Sequence, residues 1–268
     1  TGPIGALNEG ISTLLIDTWY GQPTASPNVV VTAPQSYADA LEQTTQLYGP
    51  DVVASAMRVR DAIAGAPTGP VGAYLCHGLC ETGSTAWEPL MANVKSWLDA
   101  HPREVVTFFI EDYVSPADTA KVFTQAGLLP YLHTQVAGQP WPTLGQMIDS
   151  GRRVVVLMEH HGGGSAYPWM LQGFDWVQDT PYANPSAADL SCRLNRGSAS
   201  NPLLLINNWL SGFSSLVTSA QKVNAYSVLD PYAQRCERER GLIPNYVAVN
   251  FFDEPDVFRV VDQLNGFG

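Results

Sequence analysis

Several short segments of the chain share one pattern, in which a run of apolar residues is followed by polar or charged residues. Nearly continuous apolar runs of this length are typical of strands that are buried on both faces, as in a parallel sheet. The segments with this pattern are residues 14–20 (LLIDTWY), 73–78 (AYLCHG), 105–113 (VVTFFIEDY), 152–161 (RRVVVLMEHH), 203–210 (LLLINNWL) and 246–253 (YVAVNFFD).

Helical patterns separate these strands. Residues 86–102 (AWEPLMANVKSWLDAHP) repeat apolar side chains every three or four positions, which places them on one stripe. Ser115 and Pro116 are typical of a helix N-cap and first turn, and Gly127 is a stop signal. Residues 254–266 predict a closing helix. Strands that alternate with helices predict an α/β fold, and for one domain of 268 residues they indicate a (β/α) TIM-type barrel.

Residues 22–72 interrupt this alternation. They begin with a Pro-rich stretch and continue with two helical patterns, at residues 36–48 (SYADALEQTTQLY) and 51–65 (DVVASAMRVRDAIAG). A connection of this length is an insertion with its own structure rather than a simple loop. We therefore predict a single domain over residues 1–268 with an insertion at 22–72, which could form a lid over the barrel mouth.

The charge balance narrows the classes of partner. The chain carries 14 Lys and Arg against 25 Asp and Glu, a net charge of −11. This excess argues against nucleic acid, or a strongly anionic membrane, as an electrostatically bound partner. No apolar run approaches the roughly 20 residues that a membrane helix needs.

The four cysteines predict disulfides. Cys76, Cys80, Cys192 and Cys236 have none of the paired C-x-x-C spacings of a zinc site, and an even number permits two bonds in any of three pairings. We expect Cys76 to pair locally with Cys80, and Cys192 to pair with Cys236. Disulfides and few basic residues suit a secreted or cell-envelope protein.

Polar side chains end most of the predicted strands. In a parallel barrel these ends form one face, where catalytic groups gather. The residues concerned are Asp17, His77, Glu111, Asp112, Glu159, His160, Asn207, Asn208 and Asn250. One histidine among several carboxylates predicts acid–base chemistry. Adjacent histidines at 160 and 161 would point to opposite faces of a strand, so we do not expect both to bind one metal ion.

Four segments resemble the X-domain of phosphatidylinositol-specific phospholipase C, and most closely its exported bacterial members. The segments are GISTLLIDTWYG (10–21), LCHG (75–78), WLDAHPREVVTFFIEDY (97–113) and VAVNFFDEPDVFRVVDQLNG (247–266). The resemblance implies a distorted TIM barrel that cleaves a phosphodiester. One histidine takes the proton of the substrate's attacking hydroxyl, and a second protonates the leaving alkoxide. In many members a divalent cation, usually Ca²⁺, stabilises the developing charge.

The resemblance assigns roles to individual residues. His77 matches the second histidine, the general acid, since histidine can give and take protons near neutral pH. Asp17 and Glu111 match the metal-binding carboxylates, whose oxygens suit Ca²⁺ or Mg²⁺. Leu15 stands where calcium-dependent members carry a glutamate, so we expect weak metal binding. Possible substrate or supporting residues are Glu159, Asn207, Asn250 and Trp209.

The leading hypothesis is a phosphoric diester hydrolase of the phospholipase C type, which acts on a phospholipid or a related phosphodiester. One alternative is a glycoside hydrolase that uses Glu111 and Glu159, since such pairs work roughly 5–10 Å apart. Another is a non-catalytic envelope or ligand-binding barrel. Trp19, Trp141, Trp169 and Trp209 could line its ligand groove, although aromatic residues near strand ends more often pack in the core.

A further expectation concerns the first histidine of the family, which ends the first barrel strand. That strand and a helix precede the motif that begins at Gly10 in this chain. His101 and His133 are expected in a turn and a connecting loop, and His160 is the only other histidine expected near the mouth. We therefore expect the 268-residue chain to lack this strand and this histidine, and to have little activity by itself.

Overall fold

The computed structural model describes residues 2–211 and 217–267, and the chain divides into two compact units, Thr1–Gly173 and Phe174–Gly268. Both units contain strands and helices, so the α/β class predicted from the sequence is confirmed. The division into compact units does not test whether residues 1–268 form a single domain, so the predicted single domain stays a prediction.

The first unit is built on a mixed sheet. Its strands are β1 (Thr13–Pro23), β2 (Val30–Thr32), β3 (Gly72–Leu75), β4 (Thr85–Ala86), β5 (Val106–Asp112), β6 (Val154–Met158) and β7 (Met170–Gln172). They follow the order β4-β3-β1-β5-β6-β7, and β2 pairs with β1. Strands β1, β5, β6 and β7 run parallel to one another. The C-terminal ends of β5 and β6 therefore lie along one edge, together with several of the predicted site residues.

The helices of this unit include the four that the sequence patterns predicted, at Tyr37–Tyr48, Pro50–Ile63, Trp87–Ala100 and Pro116–Gln125. The helices of the unit are α1 (Pro3–Asn8), α2 (Tyr37–Tyr48), α3 (Pro50–Ile63), α4 (Trp87–Ala100), α5 (Pro116–Gln125) and α6 (Leu144–Ser150). The apolar stripe of α4 is buried, and the Ser115 hydroxyl caps α5 by accepting the Asp118 N–H. Gly127 follows the end of α5 in the left-handed region, with φ of 75°.

The predicted parallel arrangement is wrong for β3, which runs antiparallel to β1. The first half of β1 pairs with β5, and this pairing ends where Thr18 meets Asp112. Beyond that point β1 continues to Pro23, so the returning β3 pairs with this extension from the opposite direction. Strand β3 thus runs opposite to the predicted direction, and its C-terminal end lies next to Asp17.

Residues 22–72 have secondary structure of their own, and their standing as an insertion stays a prediction. They contain the end of β1, strand β2 and the two expected helices, α2 and α3. Their apolar side chains pack against the turn after β3. The buried cluster that joins them consists of Trp19, Ala40, Val53, Cys76, Leu79 and Cys80. This packing holds α2 against the turn that carries His77.

The second unit contains a parallel sheet in the order β10-β9-β8. Its elements are β8 (Val177–Asp179), β9 (Leu203–Asn208), α7 (Val217–Val223), α8 (Tyr226–Arg240), β10 (Tyr246–Val249) and α9 (Val257–Leu264). Cys192 and Cys236 lie in its apolar core and form a disulfide. Cys76 and Cys80 form the other disulfide, in the first unit, so both predicted pairs are confirmed.

Candidate functional site

Asp17 and Glu111 are direct neighbours in the first unit. They are in register on the parallel strands β1 and β5, and paired residues of adjacent strands project to the same face of a sheet. The sequence placed Asp17 at a strand end, but it lies within the longer β1, where this strand is about to leave β5. The two carboxyl groups therefore share one face near the edge of the β5 pairing.

His77 reaches this pair from the turn after β3. The Cys76 N–H donates to the backbone carbonyl of Asp17 over 3.3 Å. His77 Nε2 consequently lies 3.8 Å from Asp17 Oδ2, and the imidazole is 61% exposed. The structure thus brings together Asp17, His77 and Glu111, the residues for which the family resemblance implied acid–base and metal-binding roles. The exposed ring is open to a substrate that arrives from solvent.

Burial and negative neighbours perturb Asp17. Burial raises the pKa of its carboxyl group well above the usual range, and the charges of Glu111 and Glu159 raise that pKa further. Tyr113 is affected in the same direction, because burial and then Glu111 raise the pKa of its phenol. The site is therefore electronegative, and a positively charged group would be stabilised in it.

Glu111 is held by two donors. The Tyr113 hydroxyl donates to Glu111 Oε1 over 2.8 Å, and Gln43 Nε2 donates to the same oxygen over 2.7 Å. Gln43 belongs to α2 and was missed by the sequence reasoning. The helix was predicted, but the apolar pattern does not show which strand its polar face meets. Trp19 is fully buried and stacks on Tyr113 with ring centroids 3.7 Å apart, so it belongs to the packed core and does not line a ligand groove.

The sequence pattern predicted a strand that extends through Glu159, His160 and His161. In the structure β6 ends at Met158, and these three residues follow it. The N–H groups of His160 and His161 donate to the two carboxylate oxygens of Asp112 over 2.7 and 2.8 Å. Burial raises the pKa of Asp112, while these two backbone bonds oppose the rise. Asp112 thus anchors the turn that carries Glu159, whose charge acts on Asp17.

Two other histidines make local contacts. His101 follows α4, where its ring stacks on Trp97 and Nδ1 lies 2.7 Å from the Trp97 carbonyl oxygen. His133 Nε2 contacts the side-chain oxygen of Gln135 over 2.9 Å. His101 therefore lies in a turn and His133 in a connecting segment, as the sequence indicated.

The remaining predicted residues belong to the second unit. The side chain of Asn207 is buried and donates to the Thr180 carbonyl over 2.6 Å. The carbonyl of Trp209 accepts a hydrogen bond from Asn184, and that of Asn250 accepts one from Asn224. These contacts all join segments of the second unit. Substrate-binding roles for Asn207, Trp209 and Asn250 stay predictions.

Within residues 2–211 and 217–267, no group of three or more His, Cys, Asp or Glu side chains is arranged to hold a metal ion. Over the same residues, no helix has both the length and the apolar character required to cross a bilayer.

Comparisons with known proteins identify the family of the chain. A family model described as PI-PLC X 1 matches residues 67–265, a range that includes His77 and Glu111 and begins after Asp17. The chain is 24% identical over 225 residues to PI-PLC X domain-containing protein 1 of Arthroderma benhamiae. The aligned region covers 72% of this chain and 69% of that protein. It is 28% identical over 217 residues to a PI-PLC X domain-containing protein of Arabidopsis thaliana. This aligned region covers 72% of the chain and 49% of the plant protein.

A further relative in Arthroderma benhamiae is named an uncharacterized secreted protein. It is 25% identical over 221 residues, which cover 72% of this chain and 50% of that protein. The chain thus spans about half the length of two of these three relatives. No solved structure matches the chain. Because the family match extends over well more than half of its residues, the chain belongs to the PI-PLC X family.

Proposed function

We propose that this protein is a phosphoric diester hydrolase of the phospholipase C type that cleaves a phospholipid or a related phosphodiester. The observation that carries the proposal is the position of His77, 3.8 Å from Asp17, which is itself paired with Glu111 on the neighbouring strand, in a chain of the PI-PLC X family. The relatives are named for the domain and not for a reaction. The proposal therefore depends on the chemistry of the site.

We assign His77 the role of general acid. A hydroxyl oxygen of the substrate forms a new bond to phosphorus, and the bond from phosphorus to the leaving oxygen breaks. His77 gives its proton to that leaving oxygen, and the proton of the attacking hydroxyl passes to a base, which the family resemblance implies is the first of the family's two histidines. The carboxyl group of Asp17 faces His77 and would stabilise the imidazolium form before transfer.

The donor set also fits a hard divalent cation. Asp17 and Glu111 would hold it, because their carboxyl groups share one face and Ca²⁺ and Mg²⁺ prefer such oxygens. When bound, the ion would stabilise negative charge that develops on the phosphoryl oxygens. Leu15, two residues before Asp17 on the same face of β1, contributes an apolar side chain that is 47% exposed. We therefore expect weak binding.

Calorimetric titration with CaCl₂ and with MgCl₂ tests this site without an activity assay. We expect weak binding that is lost in Asp17→Ala and in Glu111→Ala, with Asp149→Ala in α6 as an exposed control. Binding that is equally strong in all three variants would contradict the assignment.

We also infer a (β/α) TIM-type barrel fold and export from the cytoplasm. Parallel strands followed by helices in each unit support the fold. The two disulfides and the relative that is named a secreted protein support export. The likeness to exported bacterial members belongs to the same proposal, although the relatives described above are fungal and plant proteins.

The decisive assay compares substrates in the full-length protein. It measures turnover of phosphatidylinositol, an aryl phosphodiester and an aryl glycoside, with His77→Ala as the test variant and His101→Ala as its control. We expect phosphodiester turnover that falls by about 10²–10⁴-fold in His77→Ala and is unchanged in His101→Ala. Glycoside turnover that depends on Glu159 would support the glycosidase alternative. Ligand binding without any turnover would support the non-catalytic alternative.

A further inference from the structure

Helix α2 lies in a segment that precedes the family match. It contacts the candidate site at two places, the Glu111 carboxylate and the turn that carries His77. The match begins at residue 67, whereas α2 covers Tyr37–Tyr48. Two consecutive residues of this helix are involved. Gln43 contacts the carboxylate of Glu111, and Thr44 contacts the turn that carries His77.

The Thr44 hydroxyl binds the turn directly. It accepts the Leu79 N–H over 3.1 Å and donates to the Ala40 carbonyl over 2.6 Å, so its donor and acceptor are both in use. Thr44 is buried, and a buried N–H that loses its acceptor is costly. The Leu79 amide, two residues after His77, is therefore fixed to α2.

A second threonine of the same segment repeats this contact. The Thr32 hydroxyl accepts the Cys80 N–H over 2.8 Å and donates to Glu81 Oε2 over 2.7 Å. Two successive amides of the turn, those of Leu79 and Cys80, are thus held by side chains from residues 22–66. The Cys76–Cys80 disulfide closes the same turn covalently.

Gln43 connects the turn to the carboxylate. Its Nε2 donates to Glu111 Oε1 over 2.7 Å. Its Oε1 lies on the side of the turn, because a Cβ added at Gly78 would be 3.3 Å from this oxygen. The amide of Gln43 therefore lies between Glu111 and the residue that follows His77.

We propose that Thr44 and Gln43 are positioning residues that set the distance between His77 and the Asp17–Glu111 pair. This inference depends on the proposed function, since it concerns the same site. The insertion thereby becomes part of the active site through α2. Because misplacement by about 1 Å can cost about 10²-fold in rate, these contacts should act on turnover rather than on substrate binding.

The chain offers a matched control for Thr44. Thr45 also donates to the carbonyl four residues before it in α2, over 2.7 Å, whereas Thr44 additionally accepts the Leu79 N–H. The experiment compares Thr44→Val, Thr45→Val and Thr44→Ser in the full-length protein. It measures kcat and KM on an aryl phosphodiester, and NMR hydrogen exchange of the Leu79 amide relative to the Phe108 amide in β5.

In Thr44→Val we expect kcat to fall by about 10–100-fold with KM unchanged. Exchange at Leu79 should rise at least about 10-fold while exchange at Phe108 stays constant. Thr45→Val should match the parent protein in both measurements, and Thr44→Ser should restore most of the loss. Unchanged kcat with unchanged Leu79 exchange would overturn the proposal, as would equal effects in Thr44→Val and Thr45→Val.

A second pair of variants covers the case in which Thr44→Val does not fold. Gln43→Leu should lower kcat by about 10-fold or more, whereas Gln46→Leu, which alters an exposed contact to Glu42 on the same helix, should not. Equal kcat in these two variants would overturn the role of Gln43. If the parent protein turns over no phosphodiester, the proposed function fails, and Leu79 exchange alone then decides the positioning role.

Discussion

The carboxyl group of Asp17 is the most unfavourably placed charge of the candidate site. Burial and the negative charges of Glu111 and Glu159 both raise its pKa in the folded protein. An acid whose folded-state pKa is raised favours folding most below its unfolded pKa, about 3.9, and loses that contribution as the pH rises through the folded value. At neutral pH, Asp17 therefore lowers the free energy of unfolding.

We predict that Asp17→Asn raises the free energy of unfolding at pH 7, because it removes a buried charge beside two other carboxylates. The gain should shrink as the pH falls toward the unfolded pKa of about 3.9, below which Asp17 is protonated in both states. Urea unfolding from pH 4 to pH 8 measures this, with the exposed Asp149→Asn as the control. A loss of stability at pH 7 in Asp17→Asn would show that its contact with His77 outweighs the cost of burial. A gain at pH 7 with lost activity would be a trade of stability for function.

Gly78 is a position where a side chain is poorly tolerated. Its φ is +77°, and a Cβ there would lie 2.2 Å from the Thr44 hydroxyl oxygen. We predict that Gly78→Ala lowers the free energy of unfolding by about 1–3 kcal/mol from backbone strain alone, with a further loss from the clash. Gly138→Ala is the matched control, because Gly138 has φ of +78° and open space around its Cβ position. Chemical unfolding that gives equal losses would mean that the turn moves away from Thr44 at no cost.

At the scale of elements, the two disulfides serve different purposes. Cys192–Cys236 closes a separation of 44 residues, and Cys76–Cys80 one of four. In the chain-entropy model we predict losses of about 4 kcal/mol for Cys192→Ser with Cys236→Ser, and about 2 kcal/mol for Cys76→Ser with Cys80→Ser. Only the second pair should also lower turnover, because it closes the turn of His77. Urea unfolding and kcat measure the two effects, and lost turnover in the first pair instead would contradict this division.

The sequence predicted the elements that repeat a strong pattern and missed those that depend on distant contacts. Strands β5 and β6 are almost wholly buried, and their apolar runs show this directly. Strands β2 and β4 are only three and two residues long and have no periodicity of their own to detect. The direction of β3 depends on the length of β1 beyond Asp17, which the apolar run does not define.

The same division applies to the candidate site. Asp17, His77 and Glu111 were found because the family motif and the strand pattern both mark them. Gln43 and Thr44 lie on a helix whose existence was predicted from its composition. Their partners, Glu111 and Leu79, are 68 and 35 residues away. Contacts over such separations are set by how α2 packs on the sheet, which no local pattern encodes.

At the scale of the whole molecule, the net charge of −11 governs encounters with charged surfaces. Several of its few cations are already paired with carboxylates, which leaves less positive charge for a partner. Arg196 binds Asp179, Lys95 binds Asp99, and Lys121 binds Asp118. An anionic bilayer should therefore repel the protein, and this repulsion should strengthen as the salt concentration falls.

We accordingly predict that vesicles of phosphatidylserine bind this protein no better than vesicles of phosphatidylcholine at about 0.15 M salt, and less well at lower salt. Cosedimentation of the full-length protein with each vesicle, over a series of salt concentrations, measures this. Phosphatidylcholine vesicles serve as the control because they carry no net charge. A hydrolase with such a surface would have to reach a phospholipid through contacts with its headgroup rather than through attraction to the membrane. Binding to phosphatidylserine that grows as salt is removed would reveal a basic surface that outweighs the net charge, and this account of the encounter would then be wrong.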